Sequence, residues 1–198
     1  MARKNRRNGL VLLLTLVAAA ILTGRLYAGG DAVRLAYVLA PVLVLGSVLS
    51  GGMPAAHRRK GRHPVVAPVL TGLLLFLFFL VAGAVVRLVP AFDHGVEEVL
   101  ARADRGSTLA VALSAVVAGV AEELYYRGAL FERVPLPIVT TTLAHVIATL
   151  PAGNVAMTAA AVALGGACGL SRRASGGWWT PAVVHATWSL LVLAFLPR

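Results

Sequence analysis

Two adjacent glutamates and an arginine, Glu122, Glu123 and Arg127, stand near the end of a long apolar run in the stretch GVAEELYYRGALFERV. Two histidines, His145 and His185, lie inside later apolar runs, and Ser189 follows His185 by four residues. Carboxylate and imidazole can pass protons in such places, and two donors on one helix face can hold a developing oxyanion. Helical geometry sorts the group. Glu123 and Arg127 are four apart and can pair, whereas Glu122 points about 100° away around the helix and has no cation near it in the chain. Glu122 is therefore the candidate general base, with His145 and His185 available from other helices to tune it. His185 and Ser189 share one helix face, so imidazole and hydroxyl point into the same space. Taken singly, these residues have plainer readings, as a helix-capping glutamate near the headgroups and histidines bonded to backbone in a polar seam. A carboxylate and two histidines on three separate helices argue for chemistry.

The chain that must position them is 59% hydrophobic and 13% charged over 198 residues. That is too little polar surface to cover a soluble domain. Apolar runs recur at 9–28, 32–50, 64–89, 107–126, 136–150, 154–170 and 178–196. A span needs ~20 mainly apolar residues, so the first four and the last two are long enough and the fifth is short. The expected fold is all-α, a polytopic transmembrane helix bundle of about seven spans. An ionisable group at the bilayer centre costs ~2.5–3.5 kcal/mol on insertion scales, so those singled out above need partners or water.

A net charge of +10 invites a nucleic-acid reading, but the positions of the basic residues fit an orientation signal instead. With the N-terminus cytoplasmic, Arg3, Lys4, Arg6, Arg7, Arg58, Arg59, Lys60, Arg62, Arg127, Arg133, Arg172 and Arg173 fall on the inner side, and the C-terminus lies outside. HRRKGRH is then a cytoplasmic loop facing anionic lipid. The bilayer is the expected partner and nucleic acid is not. The first apolar run resembles a signal peptide in its basic start, yet Leu26 sits where a cleavage site before Gly29 wants a small residue, so an uncleaved first helix is expected.

Between residues 90 and 106, Val96, Val99, Leu100 and Ala103 recur at helical spacing with acidic and basic residues on the other faces. This predicts a short amphipathic helix at the outer interface, a connector or else a lid. Residues 1–106 thus read as a three-helix region with a basic loop and an interfacial segment, and residues 107–198 as a four-helix catalytic region of one membrane domain. Cys168 is the only cysteine, so no intramolecular disulfide can form, and it reads as packing. Ala161, Gly165 and Gly169 give one helix a smooth face for close approach by a neighbour.

EELYYRG resembles the Glu-Glu-x-x-x-Arg motif of the CPBP family of intramembrane proteases, which includes the CAAX prenyl endopeptidases and bacteriocin-processing, Abi-like relatives. A single histidine in the next helix (TTLAHVI, His145) and a later one (WWTPAVVHATWSL, His185) follow in the family's order, and the resemblance covers roughly residues 108–195. It implies that Glu122 and His145 activate a water for attack on a peptide carbonyl. His185 and Ser189 would then stabilise the oxyanion, with Glu123 and Arg127 as support. Two positions depart from the pattern, Thr141 where the family usually has Phe and Ser189 where it usually has Asn or Asp.

The expected activity is an intramembrane endopeptidase acting near the membrane surface on a membrane-associated peptide or protein, in a prokaryotic plasma membrane. Two other readings use the same residues, a catalytically reduced immunity or scaffold protein and a small proton-coupled transporter. No cofactor is expected. The alternative is Zn²⁺ held by Glu122, His145 and His185, although no HExxH pair is present.

Overall fold

The computed structural model describes residues 2–30, 32–51, 56, 65–86, 88–103 and 107–195. The basic loop HRRKGRH lies outside the described residues, as do Arg87, Asp104, Arg105 and Arg198. The chain forms α1 (Ala2–Ala28), α2 (Ala32–Leu49), α3 (Val66–Val86), α4 (Pro90–Ala103) and α5 (Thr108–Glu123). Helix α5 continues without a break into a π-helical turn, Leu124–Leu130, and α6 (Pro137–Thr149), α7 (Val155–Ser175) and α8 (Trp179–Phe195) complete the bundle. Among the described residues there is no strand, and the fold is an all-α helical bundle.

Every one of the seven apolar runs becomes a helix. Four of these helices, Asn5–Ala28, Val66–Val85, Thr108–Leu130 and Val155–Ser175, are long and apolar enough to cross a membrane. Val33–Leu49, Pro137–Ala152 and Trp179–Phe195 are apolar but shorter. The fifth run is short as expected, whereas the second and seventh yield shorter helices than their apolar stretches suggest, so helix length alone supports four spans rather than seven.

The distribution of side chains is inverted relative to a soluble domain. Leu10, Leu13, Leu14, Ile21, Leu74, Phe78 and Val81 are exposed, while Asn8, Thr15, Thr23, Ser47, Ser50 and Ser114 are buried between helices. Small and hydroxyl-bearing residues line the contacts because they let backbones approach and bond their own helix, as Ser47 Oγ does to Leu43 O at 2.7 Å. With apolar side chains facing outward, this is an integral membrane protein.

Helix α8 packs against α3, α5 and α7, α6 lies on α7, and α1 pairs with α2. The small face of α7 lies against α6: a Cβ on Gly165 would stand 2.9 Å from Thr142 Cγ2, and one on Gly169 would stand 3.0 Å from Ile138 Cγ2. Only glycine lets these two helices meet so closely. Cys168 is buried, its Sγ 3.6 Å from Pro181 O, as its packing role requires.

The amphipathic helix α4 is fixed to the bundle through the start of α7. Asn154 caps α7 by accepting Met157 N–H at 2.9 Å, and its amide donates to Gly95 O at 2.9 Å and to Glu98 Oε2 at 2.7 Å. Glu98 also pairs with Arg102, whose guanidinium donates to Tyr27 O at 2.7 Å and lies 4.0 Å over the Tyr27 ring. These bonds hold the Glu98 carboxyl below the ordinary carboxylate range, first through Arg102 and then through Asn154.

Candidate active site

Ser107 Oγ starts α5 by accepting Ala110 N–H at 3.3 Å, and the helix ends at the two glutamates. There the hydrogen-bond register widens, with Phe131 N–H donating to Tyr126 O five residues back. A π turn adds a residue to one helical turn and re-aims the side chains around it, and such turns recur at functional sites. Beyond it Leu136 adopts φ 45°, a left-handed conformation that costs a non-glycine residue roughly 1–2 kcal/mol, and Pro137 then opens α6.

The two glutamates face different helices. Glu122 Oε2 lies 3.2 Å from His145 Nε2 on α6, and its side chain keeps 18% exposure. Glu123 is fully buried, and its Oε1 receives Arg127 Nη1 at 2.9 Å and stands 3.1 Å from His185 Nδ1 on α8. The pairing of Glu123 with Arg127 and the divergence of Glu122 are the arrangement that helical spacing anticipates. The division of the histidines, one to each glutamate, is not readable from that spacing.

Arg127 is also fully buried, a place where a guanidinium persists only when it is paired and hydrogen-bonded. Its Nη2 donates to Gly165 O on α7 at 2.8 Å, and the group lies 5.6 Å from the Tyr126 ring centroid. Arg172 Nε donates to the backbone carbonyl of Arg127 at 2.6 Å and its Nη2 to Glu132 at 3.0 Å, while Arg133 donates to Ala129 O and Ser50 O. This corrects the charge count: Arg127 and Arg172 are buried structural partners rather than loop charges, and Arg133 caps the π turn.

The imidazoles are held by packing. Tyr126 stacks on His145 at 4.9 Å between centroids and 23° between planes, and the two histidine rings lie 6.3 Å apart. Gly119, one turn before Glu123, gives His185 its room, because a Cβ there would stand 3.1 Å from Cδ2 of the ring. Thr141 is buried one turn before His145 and bonds back to Pro137 O at 2.7 Å. Ser189 sits half-buried on α8 one turn beyond His185. Nothing in the sequence marks Tyr126 or Arg172 as neighbours of the site. Gly119 does carry a signal, since it shares a helix face with Glu123 four residues later.

As a metal site the arrangement fits poorly: among the described residues no three His, Cys, Asp or Glu side chains converge as ligands. His185 turns Nδ1 to Glu123, whereas His145 meets Glu122.

A carboxylate paired with an imidazole thus lies inside an all-helical membrane bundle. Residues 104–191 match the family model described as type II CAAX prenyl endopeptidase Rce1-like. The matched segment carries the motif and both histidines and leaves α1, α2, α3 and α4 outside it. Neither the curated proteins nor the solved structures offer a match.

Proposed function

We propose that this chain is an intramembrane endopeptidase in which Glu122, held by His145, activates a water. The observation that carries the reading is the 3.2 Å contact between Glu122 Oε2 and His145 Nε2, joining two helices at a partly open carboxylate. Glu122 takes a proton from water as the oxygen attacks the scissile carbonyl carbon, then passes that proton to the leaving amide nitrogen as the C–N bond breaks. His185 faces the developing oxyanion with Nε2–H. The Glu123 carboxylate, 3.1 Å from Nδ1, orients the ring for that role. Ser189, one turn on, is the second donor.

The substrate is a lipidated, hydrophobic or leader-bearing peptide reached within the membrane of a prokaryotic cell, and the N-terminus is cytoplasmic. No metal takes part, so chelation leaves cleavage intact. Ser189 favours a second reading, a family member of reduced activity that acts as a scaffold or immunity protein, since serine reaches less far than the usual Asn or Asp.

Purified protein in lipid vesicles, given a panel of membrane peptides, tests the proposal. Cleavage should occur and should fall by about 10²–10⁴ for Glu122→Gln, which keeps the shape and removes the base. A fully active Glu122→Gln would end the protease reading. Activity lost on chelation and restored by zinc alone would overturn the metal-free mechanism.

A further inference from the structure

Helix α7 grips Arg127 at both ends. Gly165 O takes the guanidinium at 2.8 Å, and seven residues later Arg172 Nε gives a hydrogen bond to the Arg127 backbone carbonyl at 2.6 Å. Arg172 is 5% exposed, its Nη2 holds Glu132 at 3.0 Å, and its guanidinium lies 5.1 Å from the Phe131 ring centroid. From that carbonyl a continuous set of contacts leads inward, from the Arg127 guanidinium to Glu123 at 2.9 Å and from Glu123 to His185 at 3.1 Å.

We infer that Arg172 is a positioning residue for the reaction, holding the π turn so that Arg127 and Glu123 present His185 to the substrate carbonyl. The inference rests on the protease reading given above. A helical segment ends with carbonyls in want of donors, and a π turn followed by a new turn leaves them where no regular helix supplies N–H groups. An arginine brought from α7 fills that need with two donors in a rigid fork, one for the carbonyl and one for Glu132. Without it the Arg127 backbone can relax outward, and because Arg127 is tied to Glu123, the His185 ring follows. Small displacements of this kind reach the rate through orientation and leave substrate affinity largely alone.

The test compares the parent protein with Arg172→Lys and Arg172→Gln in the same vesicles. It follows cleavage of one membrane peptide as a function of pH, with an NMR titration of the His185 ring assigned by its absence in His185→Gln. Arg172→Gln should lower kcat by about 10–100-fold with KM nearly unchanged, and should displace both the pH–rate profile and the His185 titration. Arg172→Lys keeps one donor but not the fork, and should fall between the two. Parent-like kcat and pH profile in Arg172→Gln would overturn the inference, as would a loss explained wholly by less folded protein with the profile unmoved. Should Arg172→Gln fail to fold, Arg172→Lys decides alone, and a His185 titration identical to the parent's overturns the inference. A displaced titration in a protein that cleaves nothing would remove the protease reading and leave the positioning intact.

Discussion

Glu122 and Glu123 are neighbours in the chain yet serve different helices: Glu122 meets His145 of α6 at 3.2 Å, and Glu123 meets His185 of α8 at 3.1 Å. One step of 100° around a helix separates them, and their partners stand on α6 and α8. The outer glutamate is partly open and the inner one sealed, so a proton-transferring group and a fixed countercharge can coexist one residue apart.

The first prediction is that the two glutamates separate activity from stability. Glu123→Gln leaves the fully buried Arg127 with a neutral partner and should destabilise the fold by about 3–5 kcal/mol, the usual cost of stranding a buried charge. Glu122→Gln should unfold at nearly the parent temperature while losing cleavage. Thermal unfolding of both variants in one detergent checks this, and equal destabilisation by the two would contradict the assignment of roles.

Gly119→Ala should disturb His185 directly. Its Cβ would stand 3.1 Å from Cδ2 and 3.2 Å from Cγ of a ring whose Nδ1 is already held by Glu123, so the ring must tilt. Overpacking of this kind costs about 1–3 kcal/mol and should show as slower cleavage. Gly166→Ala, on a face with nothing within 4 Å, is the control and should be neutral or mildly stabilising. Equal rates for the two variants would mean that the His185 orientation does not matter to turnover.

Much of this fold is legible in the sequence because a bilayer demands long apolar runs, and each run does become a helix. The pairing of Glu123 with Arg127 is legible too, since it is set by one turn of one helix. The partners of Glu122 and His185 come from helices distant in sequence, and no spacing rule fixes which histidine meets which carboxylate. The π turn leaves no mark in hydrophobic periodicity, because Leu124–Leu130 reads equally well as α-helix. Arg127, Arg133 and Arg172 look like loop charges for a related reason: an arginine that caps a buried carbonyl and one that faces a headgroup are the same letter in the same kind of place.

The docking of α4 should depend on pH. The folded Glu98 carboxyl lies below its ordinary value because Arg102 and then Asn154 bond the charged form. A lowered folded value means that the stabilisation is fully present above the ordinary carboxylate range and is lost as pH falls through the folded value. Glu98 is about one-third exposed at its side chain, so salt should weaken the effect. Hydrogen exchange in α4 should quicken on acidification in the parent and be quick at every pH in Glu98→Gln. Exchange that ignores pH in the parent would detach α4 from this pair.

Ser189 is the weakest residue of the proposed site, and its substitution tests the oxyanion assignment. It lies one turn beyond His185, half-buried, with a side chain shorter than the Asn or Asp usual at that place in the family. A donor aimed at charge that develops only in the transition state raises turnover and leaves substrate binding nearly unchanged. Ser189→Asn should therefore raise kcat at constant KM, because its amide reaches farther toward the space that His185 faces. Ser189→Ala should lower kcat toward the low end of the ~10²–10³ loss seen when a well-formed oxyanion donor is removed. Both variants and the parent can be followed on one membrane peptide in one detergent. Equal rates for Ser189→Ala and the parent would take Ser189 out of the mechanism and leave the oxyanion to His185 alone.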